Sequence, residues 1–134
     1  MITKSPSGAL SPYYYKGGYF HGIHYGSYYE DTAALFDMME KEQQFILNTM
    51  ERRCILIDLY KTKLTEEVLD RLCIHIEAIE SRVIKLAIAT DRRSLRKIRK
   101  MLGRMHILEA SRYYLTTDME EGKTWLVSDS YGVF

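Results

Sequence analysis

Few residues in this chain could do chemistry, and spacing decides what each can do. His21 and His24 lie three apart in a tyrosine-rich stretch that reads as a strand. Strand side chains alternate between faces, so the two imidazoles point to opposite sides and cannot share a metal ion. His75 falls on a helix away from its main apolar stripe and His106 in a connection, neither with an acidic or cysteine partner at ligand spacing. No metal site is predicted. Cys54 begins an apolar run and Cys73 sits in mid-helix without CxxC spacing, which reads as two reduced, buried or half-buried thiols rather than a disulfide or zinc site. Asp58 ends one apolar run and Asp91 follows another, so two carboxylates could approach across adjacent strands and share acid–base work. No nucleophile, oxyanion donor or glycine-rich phosphate loop accompanies them, and loop caps explain both. The chain is therefore read as non-catalytic and without a cofactor.

Two surfaces remain. In the aromatic stretch, Tyr19, His21, Ile23 and Tyr25 share one face, while Phe20, Gly22, His24 and Gly26 share the other. Glycines beside aromatics leave room for a planar ligand or a partner's side chains. In the plainer reading, one row packs on helices and the other forms a cross-strand ladder. Tyr19, His21 and Tyr25, together with Asp58, Thr65, Asp91, Arg92 and Arg93, are the residues assigned here to a ligand or partner surface. Further along, Arg92, Arg93, Arg96, Lys97, Arg99, Lys100 and Arg104 gather positive charge on one helix, with Arg96, Lys97 and Lys100 as its basic face. Such a face could meet nucleic-acid phosphates or an acidic protein, but the helix keeps a clean apolar stripe, and a solvated face is the favoured reading. Arg92 and Arg93 also open a helix just past a strand's carboxyl end, where α/β folds bind anions, with Asp91 competing for the same N–H groups.

The elements that must hold these residues follow from periodicity. Cys54–Leu59 and Val83–Ala89 are short apolar runs, joined by an amphipathic segment opened by Thr65, and together they read as a βαβ unit with parallel strands. Ahead of it, Tyr13–Tyr15 and Tyr19–Tyr25 flank Lys16-Gly17-Gly18, an antiparallel hairpin around a glycine turn. Asp31 caps a helix that runs to about Arg52; Thr65 caps a second, with Val68, Leu69, Leu72, Ile76, Ile79 and Val83 as its buried face. Asp91 caps a third, Arg92 to about Met105, and Ile107–Tyr113 is the last strand. Thr117-Asp118-Met119-Glu120 has the form of a capping box for a short final helix. The result is an α/β fold: a mixed sheet of four to five strands, an N-terminal antiparallel hairpin followed by parallel crossovers, packed with about four helices.

Size and charge set the remaining bounds. The 134 residues suit one domain, read as 13–127, with a mobile arm at 1–12 and a tail at 128–134. Lysine and arginine number 19 against 18 acidic residues, so a net charge of +1 gives no overall pull toward nucleic acid or anionic membrane. No run approaches the ~18 apolar residues of a membrane span, and the start lacks a signal-peptide core, which predicts a cytosolic chain without membrane partners.

The aromatic hairpin, the Ile55-Leu56-Ile57-Asp58-Leu59 strand followed by Thr65-Glu66-Glu67, the Lys85-Leu86-Ala87-Ile88-Ala89 strand and the closing Thr117-Asp118-Met119-Glu120-Glu121-Gly122-Lys123-Thr124-Trp125-Leu126 together resemble the STAS-like superfamily over about residues 13–127. Its best-known members are the sporulation anti-anti-sigma factors, and it includes a large bacterial branch in which an acidic helix start precedes a Trp-Leu pair. Anti-anti-sigma factors carry an Asp-Ser-Ser-Gly element, with a phosphorylated serine, where the second helix starts; here Lys63-Leu64-Thr65-Glu66-Glu67 stands there, without the serine switch. A hydroxyl that caps a helix explains Thr65, with phosphothreonine the alternative. The resemblance implies a regulatory or protein-interaction module; the exposed aromatic edge and the mobile N-terminal arm add a possible homodimer, since an unpaired edge strand is a ready site for strand addition or exchange. The alternative is a carrier or sensor of a small apolar ligand, held between Tyr19, Tyr25 and helix methionines; nucleic-acid binding through the basic helix ranks below both.

Overall fold

The structure, a computed structural model, describes residues 3–8 and 10–128. The tail expected from 128 onward lies, apart from Ser128, outside the described residues. Two short strands, β1 (Thr3–Lys4) and β2 (Leu10–Ser11), pair with each other, and a five-stranded sheet follows: β3 (Tyr13–Tyr15), β4 (Gly18–His24), β5 (Arg53–Asp58), β6 (Val83–Ala89) and β7 (Tyr113–Thr116). The helices are α1 (Thr32–Leu47), α2 (Glu66–Ile79), α3 (Arg92–Met105) and α4 (Met119–Val127). The fold is α/β, as the apolar runs implied.

In the sheet the strands stand in chain order, with β3 antiparallel to β4 and every other neighbour parallel. The two apolar runs lie side by side in the same sense, Ile55 opposite Leu86 and Ile57 opposite Ile88. Each parallel step needs a crossover helix, and right-handed crossovers that all advance in one direction put their helices on one face. Accordingly, α1, α2 and α3 cover the side that carries Ile23, Ile55, Ile57, Leu86 and Ile88, and these residues form the main core with Leu35, Met39, Leu72, Ile76 and Ile98. Among the described residues, α4 alone covers the opposite side, where Leu126 packs with Phe20, Leu56 and Ala87. Strands buried on both faces select continuous apolar sequence, which is why β5 and β6 show no alternation. Ile57 is fully buried at the centre of that core, so Ile57→Ala would cost about 2–5 kcal/mol.

Local chemistry sets the ends of the elements. The hairpin turn is Lys16-Gly17, both at positive φ (45° and 91°), and Gly18 already belongs to β4. Carboxylate and hydroxyl caps hold three helix starts: Asp31 accepts from the Ala34 N–H at 3.1 Å, Thr65 from Val68 at 3.2 Å and Asp91 from Ser94 at 2.8 Å.

Several boundaries differ from expectation. Helix α1 stops at Leu47 rather than near Arg52, because Thr49 turns the chain toward β5, its carbonyl accepting from Arg82 Nε at 2.7 Å. Val83 begins β6 rather than ending the α2 stripe, since a 3₁₀ turn at Glu80–Arg82 intervenes. The last strand is Tyr113–Thr116, not Ile107–Tyr113; Leu108 reaches the core from a connecting segment, which accounts for its apolar character. At α4 the cap is Asp118, which accepts from the N–H groups of Glu120 (2.9 Å) and Glu121 (3.4 Å), and Thr117 plays no part in it.

The segment expected to be a mobile arm is docked. β3 pairs with β4 only at Gly18, Tyr19 and Phe20, so farther along the same edge the Gly22 carbonyl and the His24 N–H face outward without a strand partner. Arm serines supply it: the Ser5 hydroxyl donates to Gly22 O at 3.3 Å and the His24 N–H donates to Ser7 Oγ at 3.0 Å. Backbone groups left open at a half-covered edge demand partners, and short hydroxyl side chains can reach them.

Candidate functional site

The parallel strands all point their carboxyl ends the same way, and the residues at those ends are polar. β4 ends in His24, β5 in Asp58, β6 is followed by Thr90 and Asp91, and β7 by Thr117 and Asp118. His24 and Asp58 are register partners, and His24 Nδ1 lies 2.6 Å from Asp58 Oδ2. The other Asp58 oxygen accepts the Tyr60 N–H at 3.0 Å. Gly26 makes this loop possible, since a Cβ there would sit 2.6 Å from the Tyr60 carbonyl and 2.9 Å from Asp58 Oδ1. Tyr60 in turn donates its hydroxyl to the Thr117 carbonyl, tying the β5 and β7 ends together. Burial, then the charges of Asp58, Asp118 and Asp91, push its phenol above the ordinary range.

Beside this edge, on the α4 side of the sheet, lies a pocket of about 260 Å³ lined mainly by Tyr13, Phe20, Gly22, Leu56 and Met119, with His24, Asp58 and Lys123 as its polar lining. Its origin is legible in β4: the row Phe20, Gly22, His24 has no side chain at its middle position, and α4 borders the gap with Met119 and Lys123. Tyr13 and Phe20, cross-strand partners with rings 5.3 Å apart, form one wall. Lys123 pairs with Glu120 at 3.2 Å, and its ammonium lies 5.7 Å from the Tyr15 ring centroid. An apolar lining with a few polar groups is the usual form of a small-molecule site. His24 Nδ1–H donates to Asp58, so in the neutral form of this half-exposed ring Nε2 is the accepting nitrogen.

The opposite face of β4 is closed. Tyr25 is fully buried and its hydroxyl donates to His75 Nε2 at 2.7 Å, while His75 Nδ1 faces Gln43 Oε1 at 3.3 Å. Burial pushes the Tyr25 phenol up and the His75 imidazole down to about 4, so both are neutral. His21 is likewise buried, between Ser11 Oγ (2.6 Å from Nδ1) and Glu42 Oε1 (3.0 Å from Nε2). Glu42 Oε2 accepts the Ser7 N–H at 2.9 Å and the Ser7 hydroxyl at 2.6 Å. Burial alone would raise the Glu42 carboxyl, but hydrogen bonds from His21 and Ser7 outweigh it and hold it below its ordinary value. The Ser11–His21–Glu42 chain has the order of a hydrolase triad, yet the three are only 3%, 1% and 0% exposed, so it works as a clasp joining arm to domain.

The predicted surface of Tyr19, His21 and Tyr25 is thus corrected: Tyr19 alone is exposed, resting edge-on against Tyr14, while His21 is committed to the core by the Ser11 hydroxyl and Glu42 carboxylate and Tyr25 by the His75 imidazole. The cavity imagined between Tyr19, Tyr25 and helix methionines is solid, with Tyr25 and Met39 packed in it. His75, expected off the stripe, is a core residue because Tyr25 satisfies it. Thr65 and Asp91 are helix caps, and the Ser94 N–H bond, outweighing burial, lowers the Asp91 carboxyl. Arg92, Arg93, Arg96, Lys97 and Lys100 are all exposed, and Lys97 also donates to the Leu64 carbonyl at 3.0 Å. Of the residues picked out in sequence for a ligand surface, Asp58 alone borders the pocket, joined there by His24, Gly22 and Lys123. The signal for His24 was its position as the last residue of a strand whose neighbour also ends in a polar residue. Among the described residues, no group of three or more His, Cys, Asp or Glu side chains could hold a metal ion, and no helix is long and apolar enough to cross a membrane.

Compared with protein-family models, with curated proteins and with solved structures, the chain matches none of them.

Proposed function

We propose that this domain is a non-catalytic, STAS-like binding module that senses or carries a small, flat, largely apolar molecule in the pocket between β4 and α4, and that it works in the cytoplasm, where its two free thiols stay reduced. The observation that carries the reading is the missing side chain at Gly22, between Phe20 and His24, over an apolar floor of Leu56 and Met119. The size, about 260 Å³, suits one or two fused rings rather than a long acyl chain. The polar lining residues set the ligand's chemistry: the neutral His24 ring accepts at Nε2 from a hydroxyl or N–H, and Lys123 attracts a carboxylate. The test is a fluorescence titration with 1-anilinonaphthalene-8-sulfonate, an apolar, planar anion. Parent protein should saturate at one site, and Gly22→Val, which fills the gap with a strand-favouring side chain, should abolish the signal while the fold is kept. Equal binding by both proteins would defeat the reading.

A second reading is favoured by a different observation. Tyr13, Tyr14 and Tyr19 are 39%, 59% and 57% exposed on the β3–β4 hairpin, a density of aromatic surface typical of protein recognition. On this reading the module docks a partner protein there, and Tyr14→Ala with Tyr19→Ala removes the interaction without touching the pocket.

A further inference from the structure

The helical face of the domain carries two charge stripes of opposite sign, side by side. On α2 the outward residues are Glu66, Glu67, Asp70, Ile74 and Glu77. The one arginine of that helix, Arg71, turns to α1, where it lies 3.8 Å from Glu40 and over the Phe36 ring. On α3 the outward residues include Arg92, Arg93, Arg96, Arg99, Lys100 and Arg104, and no acidic residue occurs anywhere in the helix. Among the described residues, none of these ten charged side chains makes an ion pair, and no ion pair links α2 to α3. The stripes do flank a common neighbour: the Cys73 thiol, raised first by burial, is raised further by Glu77 and Asp70 and lowered by Arg104. Each stripe also exposes one apolar side chain, Ile74 (59%) on α2 and Met105 (43%) on α3.

We infer that this face is a self-complementary docking surface whose occupant is a second copy of the same chain, the α2 stripe of each protomer lying on the α3 stripe of the other. The arrangement of the helices selects the symmetry. Both helices join parallel strands, so they run in the same sense. A two-fold axis lying in the interface, along the helix direction and midway between α2 and α3, brings α2 onto the partner's α3 and α3 onto the partner's α2. A two-fold across the helices would set acid against acid and base against base, so charge excludes it. The same geometry argues against a polyanion as occupant. Packed helices are about 8–10 Å apart, close to the Debye length of about 8 Å at physiological salt, so the acidic stripe would stand within repelling distance of any phosphate backbone bound on α3. A face of two 14-residue helices, each about 21 Å long, is small for a permanent dimer, so association is weak, driven by charge and sensitive to salt.

The inference is independent of the pocket, and its test is charge reversal followed by mixing. One variant carries Arg96→Glu, Arg99→Glu and Lys100→Glu; the other carries Glu67→Lys, Asp70→Lys and Glu77→Lys. All six positions are exposed, and circular dichroism with thermal melting verifies that both variants fold. In sedimentation equilibrium at low salt, with protein up to about 1 mM, the parent should dimerise, each variant alone should be monomeric, and the equimolar mixture should form a heterodimer. Raising salt to about 0.5 M should weaken parent and mixed dimers by tenfold or more. A parent that stays monomeric throughout, a dimer that survives both reversals, or a mixture that fails to associate would each overturn it. So would parent protein that remains monomeric yet shows salt-sensitive retention on heparin, which would give α3 to a polyanion.

Discussion

His24 and Asp58 occupy the final positions of neighbouring parallel strands, and the imidazole Nδ1 meets the carboxylate at 2.6 Å beside the pocket. The carboxylate fixes the ring's orientation and tautomer, leaving Nε2 to face a ligand. A probe with an aromatic body and a hydroxyl, such as 2-naphthol, should therefore lose about three- to tenfold in affinity on His24→Ala, the worth of one neutral hydrogen bond. For 1-naphthoate the larger loss should come from Lys123→Ala. Calorimetric titration of the two probes against the two variants checks the crossed pattern; equal losses would deny the polar groups their separate roles.

His75 couples stability to pH. Its folded value of about 4 lies below the ordinary 6.5, so between these limits the unfolded chain binds a proton that the folded chain refuses. Stability is therefore greatest above pH 6.5 and declines as pH falls toward 4, by about 3 kcal/mol from this residue. Urea denaturation across that range should show the slope, and Tyr25→Phe, which leaves the imidazole without its donor, should cost about 1–3 kcal/mol at neutral pH.

Glu42 acts at lower pH. Its folded carboxyl is held below the ordinary value, so its contribution is full above that value and is lost as pH falls through the depressed one. Because the same oxygens hold Ser7, the arm should loosen with it. Hydrogen exchange on Glu42→Gln should show faster exchange at Ser7 and His24, whose N–H groups depend on the clasp, with β5 and β6 unchanged.

Helix α4 walls the pocket, and its start rests on Asp118. Asp118→Ala should cost about 1 kcal/mol in denaturant midpoint analysis, whereas Thr117→Ala should be near neutral. The reverse ranking would restore the capping box read from sequence.

Sequence alone reveals the elements whose residues face one environment throughout. β5 and β6 are buried on both faces and so spell unbroken apolar runs; Asp31, Thr65 and Asp91 cap helices by contacts three residues away. What it hides depends on contacts between distant segments. His75 reads as polar until Tyr25, 50 residues earlier, is placed against it. The arm reads as loose because its partners, Gly22, His24 and Glu42, are exposed to it only by the shortness of β3. β7 is hard to place from sequence because an edge strand that is half-buried along Tyr113–Leu115 has no strong period, while Leu108 mimics a strand residue from a connecting segment. The pocket was half legible: the Phe20, Gly22, His24 row is visible in the alternation, but only the β4–β5 register brings Asp58 beside it.

The most direct test is two-dimensional ¹H–¹⁵N NMR of the protein titrated with 2-naphthol. Shifts are expected to cluster at Gly22, His24, Leu56, Asp58, Met119 and Lys123 and to vanish in Gly22→Val, with the Tyr25–His75 side of the sheet unaffected. Shifts that gather elsewhere, or that persist in Gly22→Val, would contradict the pocket as the site of recognition.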